Sequence, residues 1–400
     1  MTQVLLTNTI RKNFFDMNVL NERKFYQQID KSFRITAFVR KFIFLEFITQ
    51  KIVNILCTVL RKLIFPASNK TGSILIISIH RLGDTVFTIP AITQLFKNYY
   101  NYKIKILCYE ETKAILALKF ERESIITIKK NDFFFGRRLA KSYLRKLVRS
   151  IKPEIIFDLT GQITSASMIF SSKADKIIGV NKIYFKNIYD KFIDVESTKH
   201  YINRYLDVVR LDLPIPGSSE INFFQPKEII NSKILIHPFA IRKAKEWNLK
   251  RYIDLADDLK KDFDVEIVCP PNFIPQDIIK EITSREIPFE ETVNIEHLID
   301  KIKKCSLFIS NDSGPIYIAS LLGVATFTIY GSTNPSFTLP FGKNHRFIRK
   351  LMSCSASEKE SSCFTYAGIF CPSTECFESI SLELVKSEIY SFSKDLGLKK

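Results

Sequence analysis

The chain has 400 residues, of which 46% are hydrophobic and 34 are phenylalanine. This length suits two domains of ordinary size, and the apolar content suffices for two cores, which excludes a wholly disordered chain. The net charge of +17 at pH 7 favours anionic partners such as phospholipid, phosphorylated glycolipid or nucleic acid. A general bias toward lysine explains the same excess equally well.

Positive charge is concentrated in two stretches. Residues 1–72 contain twelve Lys or Arg and four Asp or Glu, a net charge of +8. In the second stretch, 129–149, Asp132 is the only acid. A nucleic-acid site would need aromatic rings interleaved with these cations on one face, which Phe133–Phe135 barely provides, so no nucleic-acid partner is predicted. The basic residues of the second stretch are Lys129, Lys130, Arg137, Arg138, Lys141, Arg145, Lys146 and Arg149.

The N-terminal stretch contains an apolar segment, 38–65, that charged residues interrupt. It offers no uninterrupted span for crossing a membrane. Gln50, Asn54, Thr58 and Lys62 recur at a spacing of four, which predicts a helix with one polar stripe. Such a helix suits the plane of an anionic inner leaflet. The alternative is an added helix that packs on the domain or on a partner.

The first residues lack an apolar core followed by a small-residue cleavage site, so no signal peptide is predicted and the cytosol is the expected compartment. Cys354, Cys363, Cys371 and Cys376 lie close together in the sequence. Disulfides are not expected in the cytosol, and the irregular cysteine spacings without CxxC pairs disfavour zinc. We therefore predict a loop with incidental thiols and no metal site.

The first half of the chain alternates strands and helices. After a linker at 65–72, residues 73–79 predict a buried strand, 80–84 a turn and 85–98 a helix. Strands that read as near-continuous apolar runs indicate a parallel sheet. The further predicted strands of this half are 103–108, 124–128, 155–159 and 176–180.

The second half repeats this alternation after a proline-rich connector. It predicts a strand at 233–237, a helix at 251–263, and a last helix at 381–396. Two Rossmann-like halves follow from the pattern, and the absence of G-x-G-x-x-G after either first strand disfavours a nicotinamide enzyme. The further predicted strands are 265–269, one that begins at 307, and 325–330.

Two polar segments follow predicted strands and suggest chemistry. Asp84 comes directly after the first strand, where it is either the N-cap of a helix or a carboxylate that takes a proton from an acceptor hydroxyl. Arg242, Lys243 and Lys245 lie in the loop after the strand at 233–237 and suit a diphosphate, although a solvated basic loop explains them too. Trp247 is predicted to be a helix-packing anchor rather than a platform for base stacking.

The third segment, 307–336, reads as strand, turn, helix, strand and turn. Polar turns at the carboxyl ends of parallel strands are where α/β sheets bind ligands. The turn at 312–315 would aim backbone N–H groups and the positive end of a helix at an anion. The segment therefore predicts a diphosphate site, with Thr333 in the second turn.

Together these segments resemble glycosyltransferase family 9, the bacterial lipopolysaccharide heptosyltransferases, which have the GT-B fold. ILIISIHRLGDTVFTIPAI is similar to the family's S-x-G-D-x-x-x-x-x-P-A segment, and ILIHPFAIRKAKEWNLKRYIDLADDL to its H-P-G-A…K-x-W segment. ISNDSGPIYIASLLGVATFTIYGSTNP is similar to its D-[ST]-G-x-x-H-x-A-A…G-x-T-x-P segment. The resemblance covers residues 73–395 and implies an α/β chain with two Rossmann-like domains that face a cleft. The first 72 residues lie outside the resemblance, and their sequence predicts an extra basic helical segment.

The sequence pattern and the resemblance together predict a domain plan. Its parts are a basic extension and linker at 1–72, an acceptor domain at 73–215, a linker at 216–232, a nucleotide-sugar domain at 233–380 and a closing helix at 381–400.

The implied chemistry is inverting sugar transfer. Asp84 corresponds to the family's general base and Lys245 to its diphosphate-binding lysine, and the phosphate loop falls on Asp312, Ser313 and Gly314. The implied co-substrate is a nucleotide-diphosphate sugar, ADP-heptose in the family, with no further cofactor. The implied acceptor is an anionic lipid-linked saccharide at the inner membrane, reached from the cytoplasm. Arg242 and Thr333 join the predicted donor site, and Tyr317, His237 and Arg81 are further candidates.

Some positions depart from the family pattern. The glycine after His-Pro is Phe239, a nearby small hydroxyl residue is Ile241, and the histidine after the D-[ST]-G turn is Tyr317, which cannot supply a cation. The nucleotide loop after the second strand reads 270–273, Pro-Pro-Asn-Phe. These changes leave two alternatives open, a donor other than ADP-heptose and a weakened paralogue that acts as a binding or scaffold protein.

Overall fold

The computed structural model describes part of the chain: residues 43–134, 139–181, 186–194, 200–217, 224–229, 231–240, 245–340, 342, 344–358, 360–363, 371 and 374–398. Side chains are described for these residues except 43–50, 134, 181 and 194. Residues 1–42 of the predicted extension, and Arg137, Arg138, Ile241 and Arg242, lie outside the described residues. The chain divides into two compact units, which we call the N-terminal unit (up to residue 217) and the C-terminal unit (from residue 224). The finer predicted boundaries stay predictions.

The N-terminal unit contains a six-stranded sheet in the order β3-β2-β1-β6-β7-β8, with every neighbouring pair parallel. A short antiparallel pair, β4 with β5, stands apart. The strands are β1 (Ser73–Ser78), β2 (Lys103–Tyr109), β3 (Ile125–Ile128), β4 (Phe133–Phe134), β5 (Leu139–Ala140), β6 (Ile155–Asp158), β7 (Lys176–Asn181) and β8 (Lys191–Asp194). The α-helices are α1 (Ile43–Thr58), α2 (Leu82–Asn98), α3 (Lys113–Leu116), α4 (Ser142–Ile151), α5 (Ile163–Ile169) and α6 (Tyr201–Arg210).

The C-terminal unit has a second six-stranded parallel sheet, in the order β11-β10-β9-β12-β13-β14. Its strands are β9 (Lys233–His237), β10 (Asp264–Cys269), β11 (Phe289–Glu291), β12 (Leu307–Asn311), β13 (Ala325–Tyr330) and β14 (His345–Arg349). Its α-helices are α7 (Leu249–Leu259), α8 (Gln276–Ser284), α9 (Ile295–Lys304), α10 (Gly314–Leu321), α11 (Pro335–Thr338), α12 (Glu375–Glu378) and α13 (Leu382–Asp395).

The central strands are buried along their whole length, as their continuous apolar sequences predict. Every residue of β1, β12 and β13 is buried, which a parallel strand covered by helices on both faces requires. This confirms the two parallel α/β sheets.

Helix starts are where the sequence prediction was least accurate. The α2 helix begins at Leu82 rather than at residue 85, because Arg81 is extended and acts as the N-cap. The α7 helix begins at Leu249 rather than at residue 251, because the Asn248 side chain accepts the Lys250 N–H and caps the helix. The α10 helix begins at Gly314, inside the predicted turn at 312–315, because a proline is compatible with the first turn of a helix.

The α1 helix packs on the N-terminal unit through its polar stripe. Asn187 Nδ2 donates to Thr58 Oγ1 at 2.7 Å and to the Asn54 carbonyl at 3.0 Å. The next segment, Val59–Ile64, is π-helical. Arg61, four residues after the buried Cys57, turns inward, whereas Lys62 of the predicted polar stripe is exposed.

Arg61 fixes the end of this helical segment. It is 6% exposed, and its Nη2 lies 3.1 Å from Asp190 Oδ2. The structure thus agrees with the alternative prediction that this helix packs on the domain. Within the described residues, no helix is long and apolar enough to cross a membrane.

Replacing Arg61 tests this docking. Arg61→Ala leaves Asp190 without its cation and opens a gap under the π-helical turn. Because Asp190 is half exposed, we expect a loss of only about 1–2 kcal/mol of local stability. Hydrogen exchange of residues 51–64 should accelerate accordingly, whereas the matched Lys62→Ala variant should exchange like the wild type. Equal exchange rates in the two variants would contradict this role of Arg61.

Candidate active site

Three turns of the C-terminal unit meet at one edge of its sheet. They follow β9, β12 and β13, which are adjacent and parallel. The carboxyl ends of parallel strands share an edge, so the residues after His237, Asn311 and Tyr330 lie close together. This edge contains most of the site residues predicted from the sequence.

The Asp312 carboxylate links these turns. Asp312 is 5% exposed, and its Oδ2 accepts hydrogen bonds from Lys245 Nζ at 2.7 Å and from Thr333 Oγ1 at 2.6 Å. Its Oδ1 accepts the hydroxyl of Tyr317. Burial alone would raise the pKa of this carboxyl, but the Lys245 charge and these hydrogen bonds hold the pKa below its ordinary value of 3.8. Asp312 is therefore an anion that positions three predicted site residues.

Asn311 holds the loop that delivers Lys245. Its Oδ1 accepts the Trp247 backbone N–H at 2.9 Å and the Tyr252 hydroxyl at 3.0 Å, and its Nδ2 donates to the Pro238 carbonyl at 2.7 Å. Trp247 is 1% exposed, in agreement with its predicted anchoring role. Sequence reasoning missed Asn311, although a polar residue directly before Asp312 at a buried strand end was a usable signal.

Ser313 and Gly314 form the start of α10. Ser313 is the N-cap, but its side chain does not cap the helix. Its Oγ instead lies 3.1 Å from the Ser310 hydroxyl, which donates to the His237 carbonyl at 2.8 Å. The first N–H groups of a helix have no intrahelical partner. This end of α10 therefore presents a positive helix terminus without a side-chain cap, beside Asp312 and Lys245.

Two of the further candidates are buried. His237 is 5% exposed, and burial lowers its pKa to about 4, so the ring is neutral at pH 7. Tyr317 is also 5% exposed, and its hydroxyl is directed at Asp312. Tyr317 thus replaces the family's histidine with a donor that stabilises the buried carboxylate.

Phe239 and Phe273, at two positions where the sequence differs from the family pattern, contact each other through their rings. The Phe239 and Phe273 ring centroids lie 5.5 Å apart in an edge-to-face contact. Phe239 is 8% exposed and belongs to the core, whereas Phe273 is 51% exposed. The two unusual positions therefore form one aromatic feature at the strand edge.

Asp84 lies in the N-terminal unit, in the first turn of α2. It is half-buried, and the N-cap position belongs to the exposed Arg81, so the capping interpretation of Asp84 is wrong. His80 and Tyr205 pack edge to face beside it, with ring centroids 5.5 Å apart. Burial lowers the pKa of His80, which the Asp84 charge partly opposes. Sequence reasoning missed Tyr205, because this residue belongs to the distant helix α6.

The described basic residues of the second stretch, 129–149, lie in the N-terminal unit. Lys129 and Lys130 pair with Glu110 and Glu111, at 3.7 and 2.6 Å, which offsets part of their charge. Lys141, Lys146 and Arg149 of this stretch are exposed in and beside α4.

The cysteines at the end of the chain are free thiols. Burial and the neighbouring Cys371, Cys363 and Cys354 raise the pKa of Cys376 to about 12. Among the described residues, no group of His, Cys, Asp or Glu side chains is arranged to hold a metal ion. The Cys363 N–H donates to the Ser332 carbonyl at 2.7 Å, so this segment supports the turn after β13.

The Lys245–Asp312 pair predicts a pH-dependent stability. A depressed carboxyl pKa stabilises the fold above the unfolded value near 3.8, and the stabilisation is lost as pH falls through the folded value. Lys245→Met strands a buried carboxylate and should cost about 2–3 kcal/mol at pH 7. The deficit should shrink below the unfolded value, where the carboxyl becomes protonated. Melting temperatures of the wild type and Lys245→Met at pH 7 and at a pH below 3.8 test this, with Lys250→Met as an exposed control. An equal loss of stability at the two pH values would contradict the prediction.

Comparison with known proteins identifies the family. The family model of glycosyltransferase family 9 (heptosyltransferase) matches residues 143–367, more than half of the chain. A Campylobacter jejuni protein named lipooligosaccharide heptosyltransferase 2 is 26% identical over 291 residues, which cover 68% of this chain and 85% of that protein. An Escherichia coli protein named lipopolysaccharide heptosyltransferase 3 is 22% identical, with coverage of 66% and 84%.

Solved structures agree on the fold. A family 9 glycosyl transferase from Veillonella parvula superposes with a TM-score of 0.66 at 16% identity, and covers 82% of this chain and 99% of its own. The E. coli ADP-heptose lps heptosyltransferase II gives a TM-score of 0.61 at 17% identity, with coverage of 81% and 99%. The fold is therefore GT-B, and the chain is a glycosyltransferase that belongs to glycosyltransferase family 9, the heptosyltransferase family.

Proposed function

We propose that this chain is an inverting transferase that moves heptose from a nucleoside-diphosphate donor, ADP-heptose in the first instance, to a lipopolysaccharide core or a related anionic lipid-linked saccharide. The observation that carries the proposal is the Asp312 cluster, which holds Lys245 and Thr333 beside the uncapped start of α10. Relatives named for heptose transfer to lipopolysaccharide or lipooligosaccharide support the sugar and the acceptor class.

The donor half of the reaction is the departure of a nucleoside diphosphate. As the bond between the anomeric carbon and the diphosphate oxygen breaks, the electron pair stays on that oxygen. Lys245 and the N–H groups of Ser313 and Gly314 would stabilise this charge. Asp312 supports them because it fixes the Lys245 ammonium before the donor binds, which lowers the cost of reorganisation. Arg242 would add a second cation.

The acceptor half requires a base. We assign this role to Asp84, whose half-buried carboxylate lies at the carboxyl edge of β1. It would take the proton of the acceptor hydroxyl as that oxygen attacks the anomeric carbon from the face opposite the diphosphate. One carbon–oxygen bond forms as another breaks, so the configuration inverts. Arg81, exposed one turn away, would attract the anionic acceptor.

The acceptor chemistry fits the charge of the N-terminal unit. Lys141, Lys146 and Arg149 are exposed near α4 and would pair with carboxylates or phosphates of the saccharide. An acceptor that is anchored in lipid requires the enzyme to work at a membrane surface. We therefore propose a cytoplasmic enzyme, peripheral to the inner membrane, that reaches the leaflet through residues 38–65.

The donor nucleotide can be tested directly. If Lys245 and the start of α10 bind a diphosphate, ADP-, UDP- and GDP-sugars should bind more tightly than a CMP-sugar, which has one phosphate, and we expect ADP-heptose to bind most tightly. Calorimetric titration of each with the full chain measures this order. Phe239 and Phe273 differ from the family pattern beside β10 and could change the nucleotide preference. Tighter binding of a UDP- or GDP-sugar than of ADP-heptose would therefore revise the donor and leave the proposed reaction class unchanged. Preference for the CMP-sugar would contradict the diphosphate site.

The assigned base predicts a loss of turnover without a loss of donor binding. Asp84→Asn should reduce transfer by about 10²–10⁴-fold, which is the usual contribution of a positioned general base. Nucleotide affinity should stay within about threefold because a base acts in the transition state. Asp277→Asn, in the first turn of α8, is the matched control for a helix-end carboxylate. Undiminished transfer by Asp84→Asn would exclude this assignment.

A further inference from the structure

The α1 helix and the π-helical turn after it expose a continuous aliphatic stripe. Ile52, Ile55, Leu56, Val59 and Leu63 are 52, 62, 53, 37 and 75% exposed. Their spacing of three or four residues puts them on one side of the helix. We call these five residues the apolar face. A contiguous exposed apolar patch of this kind marks an interaction site rather than an ordinary water-exposed surface.

The opposite side of the same helix is already occupied by protein. Cys57 is buried in the core of the N-terminal unit, Val53 packs against that core, and Thr58 and Arg61 bond to Asn187 and Asp190. The docked side therefore combines the apolar Val53 and Cys57 with the polar Thr58 and Arg61, while the aliphatic side chains of the apolar face remain exposed. The docked side holds the apolar face in a fixed orientation.

The surroundings of the apolar face are basic. Lys62 is exposed in the π-helical turn, and Lys186 is exposed in the short 3-10 turn Lys186–Ile188, which contacts α1. Asp190, the nearby acid, is engaged by Arg61. Residues 1–72 have a net charge of +8. An aliphatic strip with a cationic rim complements a lipid surface that combines acyl chains with anionic headgroups.

We propose that the apolar face lies in the surface of an anionic phospholipid bilayer, with α1 parallel to the membrane plane. A parallel orientation follows because Arg61 and Thr58 pin the helix along the protein surface, which leaves its side rather than its end to enter the lipid. A second copy of the chain is a poorer occupant, since it would bring an equal cationic rim against the first. The proposal rests on the membrane contact proposed above for residues 38–65 and names the face of α1 that enters the lipid, and the vesicle test below reads out this contact separately from sugar transfer.

Vesicle binding of the full chain tests the proposal. The test variant is Ile55→Glu with Leu63→Glu, and the control is Val293→Glu with Leu351→Glu, which makes the same charge change at sites 71 and 69% exposed in the C-terminal unit. With phosphatidylglycerol vesicles, we expect the test variant to bind at least about tenfold more weakly than the control, because acidic groups oppose both insertion and the anionic surface. The wild type should bind neutral phosphatidylcholine vesicles more weakly and lose affinity in high salt.

A second variant reads out insertion without disturbing the apolar face. Ile55→Trp should shift its emission to the blue when phosphatidylglycerol vesicles are added, whereas Val293→Trp should not. Equal vesicle binding by the two glutamate variants, together with no shift in Ile55→Trp, would overturn the proposal. A wild type that ignores vesicles but forms a dimer disrupted by Ile55→Glu with Leu63→Glu would overturn it in favour of a second copy.

Discussion

The buried Asp312 carboxylate is the interaction on which the candidate site depends. A charge that is 5% exposed persists only if it is paired and hydrogen-bonded. Lys245, Thr333 and Tyr317 provide this and come from three different segments, so one anion fixes the loop after β9, the helix α10 and the turn after β13. Burial of the carboxylate thus explains why a lysine and a hydroxyl meet beside the start of α10, where a diphosphate would bind.

The same reasoning clarifies the Tyr317 departure. A histidine at this position would offer a cation, whereas Tyr317 offers a hydroxyl to a carboxylate that already has Lys245. Tyr317 therefore still donates a hydrogen bond to Asp312, and its presence changes only the number of charged groups at this edge of the sheet. Phe239 and Phe273 similarly compensate each other through their ring contact. At both places the unusual residues have partners within the C-terminal unit, which supports the proposed transferase over the scaffold alternative.

The sequence predicted some features well and others poorly, for identifiable physical reasons. Fully apolar runs such as β1 defined both sheets, because a strand buried on both faces admits few polar residues. Asp312 and Lys245 were found as separate motifs, but their direct pairing depends on the parallel order of β9 and β12. Periodicity revealed the polar stripe of α1 without revealing that it faces the protein, since a helical period contains no information about which side is covered.

A double-mutant cycle between Lys245 and Asp312 tests the central claim most directly. Affinity for ADP would be measured in the wild type, Lys245→Met, Asp312→Asn and the double variant. If Asp312 acts by holding Lys245, each single change weakens binding and the double variant binds about as well as the weaker single variant, because partners in one network are not additive. If the two losses simply multiply, Asp312 does not position Lys245 and this account of the site is wrong.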